Sequence, residues 1–114
     1  MALDIERRVQ GNVTILALKG RATIGSETDR LNEALRRELA EGTTRLLVNL
    51  TGLSQIDSSG LATLVRSFVS IGCNGGSMRL VVTPGRVREV IEVTQLSRAI
   101  PCLADEATAL AGFR

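Results

Sequence analysis

Leu46-Leu47-Val48-Asn49-Leu50, followed a few residues on by Ile56-Asp57-Ser58-Ser59-Gly60-Leu61, decides the fold. The first run is apolar on both faces except at Asn49, the pattern of a central strand covered by a layer on each side. After Gly60, the residues Leu61, Leu64, Val65 and Phe68 recur at helical spacing, and Gly72 marks the helix end. A buried strand running directly into an amphipathic helix specifies an α/β layer structure. The junction sets two hydroxyls and a carboxylate at a helix N-terminus, where backbone N–H groups lack partners and the helix dipole is positive. Two readings stand side by side: a phosphate is accepted or attached there, or Asp57 or Ser58 caps the helix.

The pattern extends in both directions. Upstream, Leu3, Ile5 and Arg7 alternate with Asp4, Glu6 and Arg8 as a half-exposed strand. Gly11-Asn12 turns it into a second strand over Val13 to Leu18, its antiparallel partner. Ser26 and Asp29 make a capping-box-like helix start. Leu31, Leu35 and Leu39 give that helix one apolar stripe, and Gly42 ends it. Downstream, Gly75-Gly76 turns into a strand over Met78 to Val82. Thr83-Pro84 begins a helix with apolar positions Val87, Val90 and Ile91, ending near Gln95. Ile100 to Leu103 reads as an edge strand, because Pro101 cannot donate in a central ladder. Asp105 to Leu110 suits a closing helix. The expected architecture is one α/β domain over residues 1–114: a mixed sheet with one antiparallel hairpin strand, the remainder largely parallel, and about four helices packed on it.

Composition narrows the function. Fourteen Lys/Arg against twelve Asp/Glu leave a formal charge of +2, and Phe68 and Phe113 are the only aromatics. Neither a basic field nor a stacking platform for nucleic acid is present, so no nucleic-acid partner is expected. The chain has no histidine, the commonest general base and metal ligand. Gly72 to Gly76 lacks the lysine and the setting of a phosphate-binding loop. No catalytic residue, metal or cofactor is therefore expected. Cys73 and Cys102 are too far apart for a CxxC motif and read as free thiols packed as small apolar residues. The charged N-terminus and the lack of a run approaching about 18 apolar residues predict a cytoplasmic chain without membrane insertion.

With these segments in order, the chain resembles the STAS domain (sulfate transporter and anti-sigma factor antagonist), specifically the stand-alone bacterial anti-sigma factor antagonists. The likeness is carried by Val13 to Gly20 before a capped helix, by Leu46 to Leu50 running into Ile56-Asp57-Ser58-Ser59-Gly60-Leu61, by Gly75-Gly76-Ser77 before a strand, and by Val87-Arg88-Glu89-Val90-Ile91 leading to Thr94-Gln95-Leu96. The resemblance implies a phosphorylation-controlled switch. The unphosphorylated antagonist binds an anti-sigma factor that is also a serine kinase of the histidine-kinase ATPase type, and so frees a sigma factor. Phosphorylation of the serine after the Asp, here Ser58, breaks the complex, and a metal-dependent serine phosphatase restores it. Where many antagonists carry Gly-Glu-Leu-Asp after the second strand, this chain reads Gly20-Arg21-Ala22-Thr23, with Thr23 at the Asp position.

The partner surface expected from these readings comprises Asp57, Ser58, Ser59 and Gly60, with Arg21 and Thr23 nearby. To these it adds the side of the second helix that carries Thr63, Arg66 and Ser67. The protein itself is expected as a monomer or weak dimer. The alternative is a non-switching STAS scaffold or regulatory subunit of a transport or stress-sensing assembly.

Overall fold

The computed structural model describes residues 3–113. Along the chain these form β1 (Leu3–Gln10), β2 (Val13–Ala22), α1 (Ser26–Ala40), β3 (Arg45–Ile56), α2 (Ser58–Cys73), β4 (Ser77–Val81), α3 (Arg86–Val93), a 3-10 turn (Leu96–Arg98), β5 (Cys102–Leu103) and α4 (Glu106–Ala111). The five described strands lie in the order β1-β2-β3-β4-β5. β1 pairs with β2 antiparallel and the other neighbours are parallel, so the mixed sheet with four helices is as expected.

Successive residues of β3 point to opposite sides, and both sides are apolar. Leu46, Val48 and Leu50 join Leu16, Leu18 and Leu80 under α1, α2 and α3, which contribute Leu31, Leu35, Leu61, Leu64, Ile71, Val87 and Ile91. Leu47 joins Val13, Ile15 and Val81 on the other side, beneath Ala109 of α4. Full burial of each such side chain stabilises the fold by about 1.5–3 kcal/mol relative to leaving it in water. Asn49, the polar exception in the run, fastens α4 to the sheet. Its Nδ2 donates to Glu106 Oε2 at 2.7 Å, and Arg8 Nη2 donates to the same oxygen at 2.7 Å. Glu106→Ala is expected to cost about 1–2 kcal/mol and to speed amide exchange in α4 far more than in β3. Unchanged protection of α4 would show that this contact does not hold the helix.

Four local expectations are corrected. The central strand does not stop at Leu50 but continues to Ile56, pairing with β2 alone over its second half. Two register shifts put extra residues into β3: Ala17 opposes Asn49 while Lys19 opposes Gly52, and Gly20 opposes Leu53 while Arg21 opposes Gln55. Each bulge adds one residue, so Leu50, Leu53 and Ile56 all reach the core at a spacing of three rather than two. Gly52 sits where β2 passes close; a Cβ there would lie 2.7 Å from the Leu18 carbonyl oxygen. The Ser26–Asp29 capping box does not form: Gly25 is the N-cap without a side-chain bond, and Ser26 is already helical. Thr83-Pro84 precedes α3 instead of opening it, with Gly85 as the N-cap; Pro84 biases Thr83 towards extended backbone. Cys102 is half-buried as expected, but Cys73, at the end of α2, is exposed.

Candidate functional site

β2 and β3 end side by side, Ala22 opposite Ile56, so the segments leaving them meet. Asp57 joins the two. Its N–H donates to the Ala22 carbonyl at 3.2 Å, and its own carbonyl receives the Leu61 N–H at 3.0 Å, opening α2. Carboxylate Oδ1 accepts from the N–H groups of Ser59 (3.0 Å) and Gly60 (3.2 Å) and from the Ser59 hydroxyl (2.6 Å). Oδ2 accepts the Ile24 N–H at 2.8 Å. Asp57 is therefore the N-cap of α2 and the tie that holds the β2–α1 connection against it. Burial acts to raise its carboxyl, but the bonds from the Ser59 hydroxyl and from the Ile24, Gly60 and Ser59 N–H groups outweigh it. They hold Asp57 below its ordinary value of 3.8.

This arrangement separates the two readings of the junction. Because Asp57 takes the Ser59 and Gly60 N–H groups of the first turn, the turn is a poor cradle for a free phosphate; an incoming anion would meet a carboxylate already in place. Attachment is a different matter. Ser58 is the first residue of α2, it is exposed, and no side-chain hydrogen bond engages it among the described residues. Ser59 is half-buried and committed: its hydroxyl also lies 2.9 Å from Thr28 Oγ1, which in turn donates to the Thr23 carbonyl at 2.7 Å. Two adjacent serines thus occupy different chemical situations.

Both oxygens of Asp57 are in use, which makes a distinct prediction. An amide has one acceptor, so Asp57→Asn must turn its NH2 towards a backbone N–H on one side. The expected cost is about 1–2 kcal/mol at neutral pH. Since the folded-state value is lowered, the stabilisation is complete above the ordinary 3.8 and is lost as pH falls through the lower folded-state value. Denaturant melts of the two proteins are expected to converge once the pH has fallen below the lowered folded-state value of Asp57. A constant difference across pH would show that the carboxylate charge is not what stabilises the turn.

The other sequence-predicted residues divide. Arg21 and Arg66 are exposed, and Arg66 Nη2 lies 3.3 Å from Thr63 Oγ1. Thr23 is half-buried; its hydroxyl donates to Glu27 Oε1 at 3.1 Å, and its carbonyl receives both the hydroxyl and the N–H of Thr28. Three placements on the partner surface are corrected: Thr63, Ser67 and Gly60 are buried. Thr63 is 0% exposed and donates to the Ser59 carbonyl at 2.9 Å. Ser59, Thr63 and Ser67 recur every four residues as the stripe of α2 facing α1, where small hydroxyl residues let the helices approach. Gly60 is buried too, and its Cα–H faces Ala22 and Ile56 rather than solvent. The outward stripe from Ser58 runs instead through Ala62, Arg66 and Val69. Sequence reasoning missed Ile24, which is 79% exposed while its N–H is fixed on Asp57. A lone apolar residue beside Thr23 and Gly25 carries no periodic signal.

No helix among the described residues is long and apolar enough to cross a membrane. The family model described as the STAS domain matches residues 4–109. An anti-sigma factor antagonist from Mycobacterium paratuberculosis superposes with a TM-score of 0.89 at 20% identity, over 99% of this chain and 95% of that one. A proposed anti-sigma factor antagonist from Thermotoga maritima gives 0.87 at 23% identity, over 94% and 92%. The phosphorylated form of the Bacillus cell fate determinant SpoIIAA gives 0.71 at 20% identity, over 96% and 97%. At these identities the likeness establishes the shared fold.

Proposed function

Because this chain belongs to the STAS domain family, we propose that it is a cytoplasmic partner-switching regulator of the anti-sigma factor antagonist type, controlled by phosphorylation of Ser58. The unphosphorylated protein binds an anti-sigma factor that is also a serine kinase of the histidine-kinase ATPase type, and so releases a sigma factor. Phosphate on Ser58 ends the binding, and a metal-dependent serine phosphatase reverses it. The observation that carries this reading is the inequality of the two serines: Ser58 is exposed and unengaged, whereas Ser59 is locked to Asp57 and Thr28. The rigid turn presents the Ser58 hydroxyl without any need for unfolding. A phosphoryl group on the exposed Ser58 brings about −1.5 to −2 charge beside the Asp57 carboxylate, which already holds the Ser59 and Gly60 N–H groups, and places that charge in the interface. The role is non-catalytic: the chain has no histidine and Lys19 is its only lysine, so Ser58 has no base to make it a nucleophile.

Exposed Ile24, Arg21 and Arg66 complete the proposed contact surface around the turn, with Asp57 and Thr23 holding its shape from behind. Titration calorimetry against the anti-sigma kinase encoded in the same genome tests the reading. The unmodified protein and Ser58→Ala are expected to bind with similar affinity, and the enzymatically phosphorylated protein is expected not to bind. Equal binding of all three would sink the switch. Binding of a transport ATPase in place of a kinase would favour the scaffold reading.

A further inference from the structure

β1 leaves one edge of the described sheet unpaired over eight residues, while β5 at the opposite edge has only two. Gln10 and Val13 flank the two-residue loop of the β1–β2 hairpin as its closing pair. Hydrogen bonding to β2 then alternates along β1. Arg8, Glu6 and Asp4 bond inward, and Val9, Arg7, Ile5 and Leu3 turn their N–H and C=O groups outward.

We propose that this edge takes a second copy of the same chain, β1 against β1 antiparallel, across a two-fold axis at Arg7. Main-chain parity permits odd residues to pair only with odd residues, which leaves few registers. With Arg7 at the axis, Ile5 stands opposite Val9 of the second copy on the α1 side, and Glu6 stands opposite Arg8 on the other. The apolar pairs and the ion pairs each occur twice. The self-opposed Arg7 is already neutralised: its Nε donates to Glu38 Oε2 at 2.6 Å, and Glu38 is 3% exposed and also accepts from the Thr43 hydroxyl at 2.8 Å. Shifting the axis to Glu6 would oppose two carboxylates that make no ion pair among the described residues, and would set Ile5 against Arg7.

Two further observations fit this partner. Val9 is 58% exposed, a large apolar side chain left open to water on the edge strand. Beside β1 and α1 lies a groove of about 460 Å³ in which the apolar Ile5, Leu16 and Ala34 form a floor among charged residues of both signs, Arg30 and Glu33 of α1 included. In this register Val9 of the second copy stands over that floor. The edge charges, which usually discourage strand addition, are here of both signs and self-complementary. The association is independent of Ser58, which lies at the far end of β3.

Sedimentation equilibrium up to about 1 mM protein is expected to show a reversible dimer. Val9→Lys is expected to raise the dissociation constant at least ~10-fold without lowering the melting temperature. In a background with Cys73→Ser and Cys102→Ser, the double variant Glu6→Cys/Arg8→Cys is expected to crosslink as a dimer on oxidation. These residues form a non-hydrogen-bonded pair, whose close Cα spacing admits a disulfide, whereas Glu6→Cys alone is expected to give no covalent dimer. A monomeric mass at every concentration, a dimer indifferent to Val9→Lys, or crosslinking by Glu6→Cys alone would each overturn the proposal.

Discussion

Ser58→Glu is expected to weaken binding of the anti-sigma partner by about 100-fold or more, equivalent to ~2.7 kcal/mol, while the fold keeps its stability. In the free protein the new carboxylate sits in water at an exposed helix position where no side-chain bond is lost. Such a surface change moves stability by about 0.5 kcal/mol or less, and a negative charge at the first turn of α2 suits the helix dipole. In a complex the same charge is stripped of water beside Asp57, whose carboxylate has no hydrogen left to share with it. Desolvation of an unpaired ion costs several kcal/mol; even part of that exceeds the hundredfold threshold. Calorimetric binding and a thermal melt on the same sample separate the two effects. A fall in melting temperature that accounts for the lost binding would make position 58 a folding residue.

Gly60→Ala is expected to show the opposite profile: loss of stability of about 2–3 kcal/mol from overpacking, with binding impaired only as the turn distorts. An ideal Cβ on Gly60 would lie 2.6 Å from the Ala22 carbonyl oxygen and 2.8 Å from Ile56 Cγ1. The oxygen belongs to the last residue of β2 and also accepts the Asp57 N–H, so it cannot retreat without loosening the cap. The first turn of α2 must therefore lift away from the sheet, and the bonds from Ser59 and Gly60 to Asp57 lengthen with it. Chemical denaturation measures the loss. A variant as stable as the parent would mean that the sheet end yields more readily than its hydrogen bonding implies.

Much of this was legible in the sequence because it rests on short-range chemistry. A carboxylate followed by two serines and a glycine after a buried strand reads as a capped helix start, and Asp57 is that cap. Elements whose placement depends on the neighbouring chain were not legible. The second half of β3 lost its period of two to bulges, so the strand was read only as far as Leu50. Thr63 and Ser67 looked solvent-facing because polarity was taken as a sign of water; both are buried on the side of α2 that faces α1, and the Thr63 hydroxyl donates to the Ser59 carbonyl within α2. Ser26 had the composition of a cap, but the β2–α1 connection places Gly25 there. The unequal status of Ser58 and Ser59 is partly local, through the Ser59 hydroxyl bond to Asp57, and partly tertiary, because Thr28 of α1 lies against Ser59.

Incubation of the purified protein with its cognate anti-sigma kinase and ATP, followed by site-resolved mass spectrometry, tests the account most directly. The geometry of the α2 N-terminus predicts a single phosphate, on Ser58, and none on Ser59 or Thr23. Phosphate on Ser59 with Ser58 unmodified, or no phosphate at all, would contradict it.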